Sequence, residues 1–146
     1  DVGSAWGYYS ILAKKRKPSM EVYGLDPDTA MCANATKNAD LNDVHVEFIN
    51  GAVPHDSTLD KVVKDVGGVD LIKIDVQGAA TDVLRSGLSS LNAKQIRNFI
   101  IGTHGQEHME CLQLLTDTKH AIKLNLVASR IPIQPDGLIW ATACDS

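Results

Sequence analysis

The chain has 146 residues, 44% hydrophobic and 22% charged, with a formal net charge of -4 and an isoelectric point of about 5.6. That balance predicts one globular domain over residues 1–146 and lacks the basic footprint of a nucleic-acid binder. No apolar run is long enough to cross a membrane, and three scattered cysteines (Cys32, Cys111, Cys144) form neither a metal spacing nor a disulfide framework, so a cytoplasmic, reducing setting without membrane contact is expected.

Residues 1–10 open the chain as Asp1-Val2-Gly3-Ser4-Ala5-Trp6-Gly7-Tyr8-Tyr9-Ser10. An acid before a glycine turn, with a helix starting after the second glycine, suits a backbone that must approach a ligand. A strand is expected ahead of such an acid, so the sequence reads as lacking upstream residues. A helix is predicted from Gly7 to Lys17, with Tyr8, Ile11 and Leu12 as its apolar stripe and Lys14-Lys15-Arg16-Lys17 closing it against Pro18. Glu21–Leu25 reads as a strand ending at Asp26. A second helix, with Ala30, Met31 and Ala35 inward, is predicted from Pro27-Asp28 to about Asn38, followed by turn chemistry to Asp43. Val44–Asn50 alternates as a strand.

Ser57-Thr58-Leu59-Asp60 has the Ser-x-x-Asp spacing of a capping box before a short helix to about Asp65, broken by Gly67-Gly68. Val69–Asp75 reads as a strand covered on both faces. One helix is predicted after Gly78, with Val83, Leu84, Leu88 and Leu91 buried. A strand through Phe99-Ile100-Ile101 to His104 follows, then a helix from Glu107 to Thr116. Lys123–Ala128 and Gly137–Ala143 form an antiparallel hairpin at one sheet edge, joined by a Pro-rich turn at 131–137. The alternation of helices and strands predicts an α/β fold with a doubly wound, mostly parallel sheet.

In such sheets ligands sit beyond the carboxyl ends of the strands. Those ends carry Asp1, Asp26, Gly51-Ala52, Asp75 and His104. Asp26 is placed to accept hydrogen bonds from ribose hydroxyls, or to cap the helix behind it. The glycine spacing, Gly-x-x-x-Gly, is not the Gly-x-Gly-x-x-Gly of a pyrophosphate loop, which argues against a nicotinamide dehydrogenase. Lys73 and Asp75 alternate onto one face, and a lysine on a covered strand needs a partner. His104 is a candidate acid/base group, or a satisfied pocket residue. His104-Gly105-Gln106-Glu107-His108 matches an inverted zinc-protease motif, but no third ligand is evident and no metal is expected. His45, His55 and His120 read as surface residues.

The opening decapeptide resembles the first motif of class I S-adenosylmethionine-dependent methyltransferases, and most of all that of the FkbM family. Val69-Asp70-Leu71-Ile72-Lys73-Ile74-Asp75-Val76-Gln77-Gly78-Ala79 is similar to that family's Ile-Asp-Leu-Ile-Lys-Ile-Asp-Val-Glu-Gly-Ala-Glu signature. Weaker echoes are Asn34 with Asn38, Thr58-Leu59-Asp60 and Ile100–Gly105. The resemblance implies a Rossmann-like, seven-stranded sheet with a reversed edge strand, binding S-adenosylmethionine. It implies that Asp1, Gly3, Ser4 and Gly7 shape the pocket for the methionine part, with Tyr8 either facing the sulfonium or packed under the loop. Asp26 takes the ribose, Gly51-Ala52 lies near the adenine, and Asp75 lies near the methyl position. Lys73, Asp75 and His104 are the candidates for acceptor chemistry, the acceptor being a small molecule or sugar methylated on oxygen. Gln77 and Ala80 stand where the family has acids, which leaves a second reading: a methyltransferase fold that binds without turnover.

Overall fold

The computed structural model describes residues 1–127 and 136–144. Its contacts cluster in two units, Asp1–Asp56 and Ser57–Ser146.

The N-terminal unit holds helix α1 (Tyr8–Arg16), strand β1 (Tyr23–Asp26), helix α2 (Thr29–Leu41) and strand β2 (Glu47–Asn50). β1 and β2 pair in parallel from Tyr23↔Glu47 to Asp26↔Asn50, and Val2 adds a parallel bridge to Leu25. Asp28 starts α2: its carboxylate accepts from the amides of Ala30 and Met31, at 2.7 and 3.2 Å. The buried positions of α2 are Cys32, Ala35 and Ala39, one helical face. Ala30, expected inward, is exposed, because the cap at Asp28 sets the phase of the helix. α2 also runs through the predicted turn, to Leu41. On α1 the expected stripe is corrected likewise. Ser10 and Ile11 are buried, whereas Tyr8 and Leu12 are exposed.

The C-terminal unit holds α3 (Leu59–Asp65), β3 (Ile72–Asp75), α4 (Ala80–Arg85), α5 (Leu88–Asn92), β4 (Asn98–His104), α6 (Glu107–Asp117), β5 (His120–Val127) and β6 (Asp136–Ala143). The sheet order is β3-β4-β6-β5, with β3 and β4 parallel and β6 antiparallel to both neighbours. The hairpin partners are as predicted, but the reversed strand is not the edge. β6 inserts between β4 and β5, and β5 takes the edge. Residues 128–135, which hold most of the Pro-rich turn, lie outside the described residues.

Three local expectations change here. Thr58, not Ser57, caps α3, accepting from the amide of Lys61 at 3.2 Å. Asp60 instead accepts from the amides of Ser89 and Ser90 in α5, at 3.3 and 2.7 Å. Burial alone would raise its carboxyl, but the hydrogen bonds from Ser90 and Ser89 outweigh that and leave it below its ordinary value. The single helix predicted after Gly78 is two helices, split at Ser86-Gly87. A Cβ on Gly87 would lie 2.6 Å from Leu59, so the chain bends where it passes that side chain. The break rotates Leu88 outward, while Val83, Leu84 and Leu91 are fully buried.

The core of this unit is built from alternate positions of three strands. Ile72 and Ile74 of β3, Phe99, Ile101 and Thr103 of β4, and Ile139 and Ala141 of β6 are buried on one face. Leu59, Val63, Leu84, Leu91 and Leu115 complete the buried set. The opposite face is not covered as predicted. Ile100, Leu138 and Trp140 are 38%, 37% and 45% exposed, in register across β4 and β6. The site lies at one end of this open face. His120 is another correction: it is buried at the start of β5, edge-on to Phe99 with ring centroids 5.0 Å apart. Burial, and then the charge of Lys94, push its imidazole below its ordinary value of 6.5. No helix among the described residues is long and apolar enough to cross a membrane.

Candidate functional site

In the N-terminal unit the loop after Val2 is fixed by the end of β1. Leu25 donates to the Asp1 carbonyl at 2.9 Å, and Gly3 and Ser4 both donate to the Leu25 carbonyl, at 2.9 and 3.0 Å. Gly3, Ala5 and Gly7 have positive φ (78°, 45° and 80°), so the backbone coils through the left-handed region three times in five residues. Gly7 allows this for two reasons. Its φ suits glycine, and a Cβ there would lie 2.6 Å from the Phe48 ring. The N-cap residue of α1, Gly7, has no side chain with which to cap it, and the positively polarised end of the helix lies beside the loop.

Asp1 and Asp26 frame this loop. Asp1 accepts from Ser10 Oγ at 2.8 Å. Asp26 is buried; one oxygen accepts from the Ala5 amide and the other from the Asp28 amide, each at 2.9 Å. Asp26 is thus a hub between loop and helix, and Asp28 rather than Asp26 is the helix cap. Ser4 is buried with its hydroxyl unpartnered among the described residues. Tyr8 is 68% exposed and edge-on to Tyr9, so it does not pack under the loop. Instead it borders an open concavity of about 360 Å³ that includes Trp6, Ile11, Leu12 and Asn38. Gly51 donates to the Asp26 carbonyl at 3.0 Å, and the Ala52 amide donates to Asp56 at 2.8 Å, which holds the 51–56 loop against the end of β1.

In the C-terminal unit the structure brings Lys73, Asp75 and His104 together. Lys73 Nζ is 3.6 Å from Asp75 Oδ2, and His104 Nε2 is 3.2 Å from Asp75 Oδ1. Lys73 has its partner and, at 16% side-chain exposure, is not sealed from water. Gly102 makes room for the carboxylate, since a Cβ there would stand 2.8 Å from Asp75 Oδ1. The sequence reading missed Asp136, whose Oδ1 lies 3.0 Å from His104 Nδ1. Burial alone would lower the His104 imidazole. The hydrogen bonds to Asp136 and Asp75, with their charges, outweigh it and raise the group above its ordinary value of 6.5.

Glu107 was also missed, hidden within the zinc-like motif. It is buried, and its carboxylate accepts from the His104 amide at 2.7 Å and the Ala80 amide at 2.9 Å. It therefore ties the loop after β3 to the loop after β4. Ala80 itself is fully buried, while Gln77 is exposed. His108 lies between Thr103 Oγ1 at 2.7 Å and Asn125 Oδ1 at 2.8 Å, a structural imidazole. Among the described residues no group of three or more His, Cys, Asp or Glu is placed to hold a metal ion.

Residues 1–123 match the family described as the methyltransferase FkbM domain. No curated protein matches the chain in sequence. Solved structures show the fold. The chain is similar to TrmK of M. capricolum in complex with S-adenosyl-homocysteine (TM-score 0.68, 18% identity), covering 97% of this chain and 60% of that one. It is similar to the ribosomal protein L11 methylase of Lactobacillus delbrueckii subsp. bulgaricus (TM-score 0.70, 20% identity), covering 99% of this chain and 68% of that one. It is also similar to magnesium protoporphyrin IX methyltransferase of Synechocystis PCC 6803 with bound SAM (TM-score 0.66, 16% identity), covering 98% and 68%. The chain spans less than two thirds of the length of the first of these. The fold is the α/β, Rossmann-like fold of class I methyltransferases.

Proposed function

The chain belongs to the FkbM methyltransferase domain family, and on that footing we propose that it is a single S-adenosylmethionine-dependent methyltransferase domain acting on an oxygen of a small-molecule or carbohydrate acceptor. The observation that carries the donor assignment is the loop of residues 3–7. It combines three positive-φ residues, a buried hydroxyl unpartnered among the described residues and a helix N-terminus that opens on a glycine. A buried hydroxyl left unpaired is costly, and a polar ligand group would satisfy it. Those features fit the amino and carboxylate ends of an amino-acid moiety. When bound, S-adenosylmethionine supplies a methyl group activated by its sulfonium.

This chain's residues then divide the work. Asp1, Gly3, Ser4 and Gly7 form the seat for the methionine part, and Tyr8 presents an exposed aromatic face suited to a cation. Asp26 uses one lone pair of each oxygen internally, which leaves further lone pairs to accept from ribose hydroxyls. Gly51 and Ala52 line the adenine end. In the C-terminal unit Asp75 accepts the acceptor's proton, with Lys73 and His104 as its charged neighbours; positioning supplies most of the acceleration.

Thermal shift tests the donor assignment directly. A ligand that binds only the folded state stabilises it by about 2.7 kcal/mol at a hundredfold excess over its dissociation constant. S-adenosylmethionine and S-adenosylhomocysteine should raise the midpoint, NAD should not, and Asp26→Ala should abolish the response. A rise with NAD alone would overturn the assignment.

A further inference from the structure

Asp136 has no part in the reading above. It opens β6 opposite His104 in the antiparallel register. The imidazole of His104 thus lies between two carboxylates, Asp136 at Nδ1 (3.0 Å) and Asp75 at Nε2 (3.2 Å). Ionised carboxylates only accept hydrogen bonds. A neutral imidazole carries one N–H and would satisfy one of these contacts, leaving a lone pair facing the other carboxylate. Only the imidazolium donates to both. With both ring nitrogens engaged, His104 has none left for an acceptor hydroxyl.

We infer that Asp136 is a positioning residue: through the imidazolium of His104 it fixes the carboxylate of Asp75, and His104 itself does not touch the acceptor. The chemical purpose of this arrangement rests on the methyl-transfer reading. The charged groups facing the imidazole come from three elements. Asp75 and its partner Lys73 lie on β3, Asp136 lies on β6, and Glu107 of α6 holds the His104 amide from behind. Each Asp75 oxygen therefore has a cation beside it, and Gly102 supplies the space in which that rotamer fits. At 43% side-chain exposure the carboxylate keeps lone pairs open on its free side. Asp136 also lies beyond residues 1–123, the segment that matches the family.

The test is ¹⁵N and ¹³C NMR of the whole chain across pH, following the His104 ring nitrogens and the Asp75 carboxyl carbon. At neutral pH both ring nitrogens should show the protonated signature. In D136N the midpoint of His104 should fall toward its ordinary value, and the Asp75 carboxyl resonance should shift, although Asp136 reaches it only through the ring. D136E should restore both. The Asp136 side chain is 69% exposed, so these variants should fold. D75N, which removes the other negative charge, should lower the same midpoint. An unmoved His104 midpoint in D136N, or a single neutral tautomer in the wild type at neutral pH, would overturn the inference. Calorimetry with S-adenosylhomocysteine separates this from the methyl-transfer reading. Lack of binding by the wild type refutes that reading, while a His104 signature that depends on Asp136 still supports the clamp.

Discussion

Removing the Glu107 carboxylate tests whether one buried side chain holds together the segments that follow β3 and end β4. In Glu107→Ala two amides, His104 and Ala80, lose a charged acceptor at 2.7 and 2.9 Å. Hydrogen bonds to charged groups are worth about 1.5–3 kcal/mol each, which gives a sum of about 3–6 kcal/mol. The His104 amide is only part-buried, so water would replace some of that bond, and the expected loss is about 2–4 kcal/mol. With a urea slope of about 2 kcal/mol/M, in the middle of the range for a small protein, the unfolding midpoint should drop by about 1–2 M. Glu107→Gln keeps one acceptor oxygen but turns an NH₂ toward the second amide, so it should lose roughly half as much. Urea titration followed by circular dichroism gives the ranking, and hydrogen exchange at His104 and Ala80 gives its location. Equal midpoints for wild type and Glu107→Ala, or faster exchange everywhere except at those amides, would refute the reasoning.

Two further expectations follow from side chains already placed. Gly7→Ala puts a Cβ 2.6 Å from the Phe48 ring at a φ of 80°; it should cost about 1–3 kcal/mol and weaken S-adenosylhomocysteine binding by calorimetry, with Phe48→Leu in the same chain recovering part of the stability. The two perturbed histidines give opposite pH slopes. His120, whose charged form burial and then Lys94 disfavour in the folded protein, has a contribution that is present above 6.5 and lost as pH falls below it. His104, raised by its carboxylates over the opposing effect of burial, contributes fully below 6.5 and loses that contribution as pH rises through its folded value. Denaturant midpoints measured from about pH 5 to 8 should therefore lose their acid limb in His120→Leu and their alkaline limb in Asp136→Asn. If His120→Leu keeps the acid limb, the burial argument fails.

The order of helices and strands was readable because it rests on local signals: periodicity, Pro and Gly punctuation, and acids at strand ends. Lys73 and Asp75 could be paired from sequence since alternation alone places them on one face. Asp136 could not. Its relation to His104 depends on β6 inserting beside β4 in one register, and in sequence it sits in Pro135-Asp136-Gly137, where turn chemistry explains it fully. In sequence Glu107 reads only as the first residue of a helix within a zinc-protease-like motif, whereas its carboxylate serves the His104 and Ala80 amides. The cap assignment failed by one residue because Ser57 alone completes the Ser-x-x-Asp spacing, whereas the path of the chain puts the hydroxyl of Thr58 on the Lys61 amide and turns Asp60 to α5. His120 was misplaced because a polar residue at a strand start reads as exposed unless the ring it packs against, Phe99, is known.

The place of β6 bears on when this protein becomes competent, as well as on what it does. β6 lies between β4 and β5 but follows both of them in sequence, so it is synthesised after its two sheet neighbours. Until it emerges, β4 lacks its antiparallel neighbour and β5 has no partner in the sheet, so two hydrogen-bonding edges stay open together. Open edges invite pairing with other chains, and non-local strand pairing is slow. Asp136 arrives with that same strand, so the charge cluster around Asp75 and the pairing of β4 and β5 through β6 are completed together. A ribosome-bound chain stopped before residue 136 would carry Lys73, Asp75 and His104 but not the arrangement that holds them.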